Sequence, residues 1–110
     1  MRELKCLVAG EWIDGSDILE VRSPYDGRPV ARVARGGAAE LDAAADGAER
    51  ALEATARMAP AERAAILDRA ADAIRTRRDE LAGVLCEEAG KPITLARAEA
   101  ERCVDTFTAA

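Results

Sequence analysis

Leu4, Cys6 and Val8 alternate with Lys5, Leu7 and Ala9, the two-residue period of a pleated strand. Gly10-Glu11 and Asp14-Gly15-Ser16 then interrupt the pattern as turn signals. Further strands are predicted from Ile18 to Arg22 and from Val30 to Val33. Pro24-Tyr25-Asp26-Gly27 lies between them as a tight turn, since Pro presets φ and Gly tolerates positive φ. Pro24 and Pro29 sit at strand ends, where a missing N–H costs least. Antiparallel hairpins are therefore expected, with all strands before residue 36.

Gly36-Gly37 marks a change of period. Leu41, Ala45, Ala48 and Leu52 recur at helical spacing and predict one apolar helix face. Pro60 opens a second helix at its first position, with Glu62 in the first turn where the dipole favours an acid. Its apolar stripe is Ile66, Leu67, Ala70 and Ile74, and the pattern resumes at Leu81, Val84 and Leu85. Asp79-Glu80 either starts a new helix or lies within a continuing one. Arg75 and Asp79 are spaced as an i,i+4 pair. Gly90 is a C-terminal stop and Pro92 enforces it. A last helix carries Ile93, Ala96, Ala100, Cys103, Val104 and Phe107 on one face, with no stop signal before Ala110, as in a chain that continues. Helices are expected over about 40–55, 60–89 and 93–108. The chain divides into a hairpin region, 1–36, and a helical part, 37–110.

Composition narrows the function classes. The 110 residues are 49% hydrophobic, enough for a packed core, but only 3% aromatic. Ala, Leu, Ile and Val must therefore build that core. A net charge of -5, with acids and bases interspersed, argues against nucleic-acid or anionic-membrane partners. No segment approaches the roughly 20 apolar residues of a membrane span, and Met1-Arg2-Glu3-Leu4 does not open a signal peptide. A cytoplasmic location is expected. Cys6, Cys86 and Cys103 form neither a disulfide framework nor a metal-spaced set, and are read as small packing residues. There is no histidine, which removes the commonest general base.

Five short segments stand in a meaningful order: Gly10-Glu11-Trp12-Ile13-Asp14, Ser23-Pro24-Tyr25-Asp26-Gly27, Pro60-Ala61-Glu62-Arg63-Ala64-Ala65-Ile66-Leu67, Glu88-Ala89-Gly90-Lys91-Pro92 and Ala96-Arg97-Ala98-Glu99. Together they resemble the opening of an aldehyde dehydrogenase, over about Leu4 to Ala110. The Pro-Tyr-Asp-Gly turn and the Glu-Ala-Gly-Lys-Pro run are most similar to the branch acting on lactaldehyde and phosphonoacetaldehyde. Ser23 departs from the Asn that usually precedes this Pro.

The resemblance implies an α/β fold with cofactor, catalytic and oligomerisation domains, using NAD or NADP, assembled as a dimer or tetramer. These residues would supply short antiparallel hairpins and an Ala-rich helical bundle of the cofactor domain. In that family a cysteine thiolate attacks a small aldehyde, hydride passes to NAD(P)+, and water releases the acid. The nucleophile, the oxyanion donors and the Gly-rich dinucleotide loop belong to later sequence. No catalytic or cofactor-binding residue is assigned here, and residues 1–110 alone are expected to be inactive. The resemblance does imply one partial site. The acidic residue two before the helix-ending Gly gives a carboxylate oxygen to a monovalent cation, and the residue two before the strand-end Pro gives its backbone carbonyl. Those positions are Glu88 and Arg22.

Simpler readings stand beside these. Glu87, Glu99, Glu101 and Asp105 read as a solvated face, and Glu88 also suits a pair with Lys91. Lys91 itself suits a charge complementing a helix C-terminus. An exposed apolar patch is expected at Ile66, Ile74, Leu85 and Phe107, with self-association through it. The alternative to an enzyme fragment is a non-catalytic helical interaction or structural module derived from the same segment.

Overall fold

Five short strands precede four helices in the computed structural model, which describes residues 1–110. The strands are β1 (Arg2–Leu4), β2 (Cys6–Val8), β3 (Glu11–Ile13), β4 (Asp17–Arg22) and β5 (Pro29–Arg35). The helices are α1 (Ala38–Arg57), α2 (Pro60–Thr76), α3 (Arg78–Ala89) and α4 (Ile93–Ala109). The predicted order of strands then helices holds, and every strand ends before residue 36. The chain forms two compact units. One comprises Met1–Arg22 and Gly27–Arg57; the other comprises Ser23–Asp26 and Met58–Ala110. The first unit thus joins α1 to the strands, whereas the sequence boundary was drawn between residues 36 and 37.

In the first unit, β1-β5-β4 form one sheet and β2-β3 a separate hairpin. β4 and β5 are antiparallel, as are β2 and β3. β1 corrects the expectation of antiparallel pairing alone: it runs parallel to β5, with Glu3 opposite Arg32. The unbroken alternation from Leu4 to Val8 predicted one strand. The chain instead leaves one sheet at Lys5 and enters the other, a change of partner that a period-2 pattern does not register. Val30 and Ala31, at the start of β5, are the buried core of this unit.

α1 begins at a Glu-mediated cap. The Gly37 N–H donates to the Glu40 carboxylate at 2.6 Å, and the Ser16 hydroxyl donates to the same oxygen at 2.7 Å. Glu40 thereby satisfies a free helix-start N–H and ties the loop before β4 to the helix. The face predicted for burial does not pack: α1 has no buried residue, and Leu41 and Leu52 are 69% and 66% exposed. Ala44 and Gly47 turn inward instead. A Cβ on Gly47 would lie 2.6 Å from the Ala9 Cβ, so glycine permits close approach of helix and hairpin.

The second unit is a helical cluster in which α4 packs on both α2 and α3. Its buried residues are Ala71, Ala82, Ala96, Ala100 and Val104, together with the polar Ser23. Side chains this small let helix backbones approach closely. The predicted helix over 60–89 is two helices. Arg77, at φ -105 and ψ 15, separates α2 from α3, and its N–H reaches back to Ala73 and Ile74. Asp79-Glu80 then lie in the first turn of α3, where the dipole favours acids. Arg75 pairs with Asp72 rather than Asp79, and Asp79 receives Arg97 from α4 at 3.1 Å. Glu62 donates no hydrogen; its carboxylate accepts the Ala59 N–H at 2.8 Å and caps α2.

Candidate functional site

Glu88 lies half-buried in the last turn of α3. The helix ends there because Gly90 adopts φ +64 and ψ 20, the left-handed stop, with its N–H on the Cys86 carbonyl at 3.1 Å. Gly90 is also pressed against the Pro24 turn: an added Cβ would meet the Pro24 ring carbon Cγ at 2.8 Å. Ser23 shapes that turn. It is buried, and its hydroxyl accepts the Tyr25 N–H at 3.3 Å. The structure therefore brings Pro24, two residues after Arg22, against Gly90, two residues after Glu88.

Arg22 ends β4 in the first unit. Its guanidinium donates to the Gly27 carbonyl at 2.8 Å and pairs with Glu20. The strand register shifts between Val21 and Arg22, and Arg22 faces Pro29 across the ladder. Proline has no N–H, so this rung cannot be closed by a donor from Pro29. A backbone carbonyl beside such a gap, and a half-buried carboxylate, are oxygen donors of the kind a hard cation takes. No group of three or more His, Cys, Asp or Glu gathers to hold a metal ion in the chain.

Lys91 follows the helix-ending Gly90. Its ammonium pairs with Glu99 on α4, bridging the α3–α4 turn. The hydrogen bond from Lys91, and then its charge, hold the Glu99 carboxyl below the ordinary value of 4.5. Glu40 is the site-like carboxylate that sequence reasoning missed. The Ser16 hydroxyl first, and the Gly37 N–H second, hold it below the same value. Glu40 at the third helical position after Gly37 was the one available signal; Ser16 comes from 24 residues away.

A depressed carboxyl stabilises the fold above its unfolded pKa, and that contribution is lost as pH falls through the folded value. Stability should therefore decline as pH drops below 4.5. Glu40→Gln, which carries no titrating carboxyl, should flatten this decline in urea titrations run at several pH values. An unchanged pH dependence would assign the effect to other groups.

The three thiols are free. Cys6 donates weakly to the Ala34 carbonyl at 3.4 Å, and Cys86 is half-buried. Cys103 is exposed, which corrects its reading as a packed residue. It lines an apolar groove of about 290 Å³ with Leu81, Val84, Leu85 and Ala100. The expected apolar patch is also only partly present: Ile66 is 45% exposed, whereas Ile74, Leu85 and Phe107 are half-buried. No helix is long and apolar enough to cross a membrane.

Comparison with known proteins places this arrangement. The family model described as "Aldehyde dehydrogenase family" matches residues 12–110. Similar curated relatives include 2-hydroxymuconic semialdehyde dehydrogenase of Pseudomonas sp. (strain CF600), 38% identical over 87% of this chain and 20% of its own length. Succinate-semialdehyde dehydrogenase (NADP(+)) of Escherichia coli (strain K12) is 35% identical over 86% of this chain and 20% of its own. Among solved structures, an NAD-dependent aldehyde dehydrogenase from Sinorhizobium meliloti superimposes with a TM-score of 0.89 at 31% identity, covering 96% of this chain and 22% of that one. The chain therefore spans about a fifth of the length of these relatives. The family match from Trp12 to Ala110 covers most of the sequence, and this chain belongs to the aldehyde dehydrogenase family.

Proposed function

We propose that residues 1–110 are the N-terminal part of an NAD(P)+-dependent oxidoreductase that oxidises a small aldehyde to its carboxylic acid. What carries the reading is the family match over residues 12–110 together with relatives about five times as long. The hairpin region, 1–36, and the helices, 37–110, are together one incomplete cofactor-binding domain. None of these residues touches the reacting atoms. The thiol nucleophile, oxyanion donors and dinucleotide loop are supplied by other sequence, in a cytoplasmic homo-oligomer. The contribution of this segment is scaffolding, with Glu88 giving a carboxylate oxygen and Arg22 a backbone carbonyl to a monovalent cation.

Purified residues 1–110 should form no NADH or NADPH from short aldehydes. Loss of a single oxyanion donor costs about 10²–10³ in rate, and here the whole set is supplied elsewhere. Measurable turnover by a clean sample would overturn the fragment reading. For the cation, thermal unfolding is followed while K+ or Na+ is raised at constant ionic strength, with Glu88→Gln alongside. A midpoint that responds to the ion in the parent chain and not in the variant supports the site. An identical response in both removes Glu88 from it.

A further inference from the structure

We propose that the β2–β3 hairpin is a hinged flap, cocked by a left-handed alanine and latched in a glycine notch of α1, which swings open while the three-stranded sheet and α1 stay folded. Ala9 and Gly10 form the two-residue turn between β2 and β3, and both have positive φ, at 49 and 87. Such a turn matches hairpin twist and favours Asn, Asp or Gly at its first position. Ala9 is the one non-glycine residue of the chain with positive φ. Relative to an unstrained residue, a left-handed alanine shifts the balance toward the open hairpin by about 5- to 30-fold. Strain of this kind persists only where the surroundings hold it.

The hold on this hairpin is slight. β2 and β3 pair with each other and share no ladder with β1, β4 or β5. A hairpin of two three-residue strands is marginal in water by itself. Its tip rests on α1, where the missing side chain of Gly47 leaves the room that the Ala9 methyl group fills. At its base the Cys6 thiol donates weakly to the Ala34 carbonyl of β5 at 3.4 Å. Lys5 and Asp14, on either side of the hairpin, pair with each other at 3.0 Å, which pinches the base without tying it to the sheet. Leu7 and Trp12 face one another in the ladder and are 58% and 65% exposed, so they add little packing. Lys5 and Asp14 are the hinge points, because β1 before them and Gly15 after them each lie against β5.

The test is amide hydrogen exchange of the 110-residue chain, followed residue by residue in low urea. Amides of β2 and β3 should exchange faster than those of β5 and without dependence on urea, the signature of an opening that exposes little new surface. Gly47→Ala sets two Cβ atoms 2.6 Å apart, so it should speed hairpin exchange about tenfold. The melting midpoint of the unit should move by less than about 3 °C, because the flap swings away rather than straining the sheet. Adding Ala9→Gly to that variant removes the opposing methyl group and the strained alanine together, leaving the Ala9 Cα position 3.3 Å from the new methyl group. In this exchanged pair, β2 and β3 should exchange about fivefold or more slowly than in the parent chain. Hairpin exchange that rises with urea in step with β5, or Gly47→Ala that speeds every strand alike, overturns the proposal, since the hairpin would then open only with the whole unit. A double variant no slower than the parent also overturns it, since the left-handed alanine would then not bias the flap.

Discussion

Gly15→Ala should lower the unfolding midpoint of the strand-containing unit by about 10 °C or more, the largest effect of any single methyl group in this chain. Gly15 lies between β3 and β4, where the chain passes the end of β5. A Cβ there would sit 2.2 Å from the Arg35 carbonyl oxygen, 2.7 Å from its carbon and 2.9 Å from its nitrogen. All three are backbone atoms, and Arg35 is held in register opposite Asp17. A side chain can swing away from an intruding methyl group; a paired strand cannot. Overpacking costs about 1–3 kcal/mol where neighbours yield, and this site belongs at or above the top of that range. Far-ultraviolet circular dichroism against temperature measures it. A loss under about 3 °C would mean that the turn moves freely past β5.

Gly90→Ala should cost about 2 kcal/mol or more in the helical unit, from two separate causes. Its φ of +64 is a conformation that costs an L-residue about 1–2 kcal/mol. The new methyl would also press on Pro24 Cγ at 2.8 Å, and a proline ring has no rotamer to escape into. Gly83→Ala is the internal control. Gly83 sits within α3 with nothing within 4 Å of the added carbon, so alanine should stabilise by about 0.5–1 kcal/mol. Opposite signs from the same chemical change, seven residues apart, are the expected result. If both variants lose stability equally, the left-handed cap is not what distinguishes Gly90.

Much of this fold is legible from local pattern. Pro60 marks the first residue of α2, Gly90 ends α3, and β4 and β5 fall where alternation and flanking prolines predict them. Each of those signals acts within a few residues. What escapes is whatever depends on a distant partner. β1 lies parallel to β5 because of a sheet change at Lys5 that leaves the hydrophobic period intact. The α1 face was misjudged because leucine outweighs alanine and glycine in any apolar count, while contact with the hairpin needed the smaller residues. Glu40 carries no local signal beyond its place three residues after Gly37, since its meaning depends on Ser16. At the candidate cation site, the residue types at Glu88 and Arg22 were legible by resemblance. The missing Pro29 donor and the Pro24–Gly90 contact required coordinates.

The buried set of Val30, Ala31, Ala71, Ala82, Ala96, Ala100 and Val104 contains no large side chain that is fully enclosed. Alanine contacts hold helices near one another without the deep interlocking that makes opening an all-or-none event. Amide protons in α2, α3 and α4 should then exchange with solvent through many small openings rather than one cooperative one. Shallow protection of this kind would be read as exchange rates that differ from helix to helix within the unit.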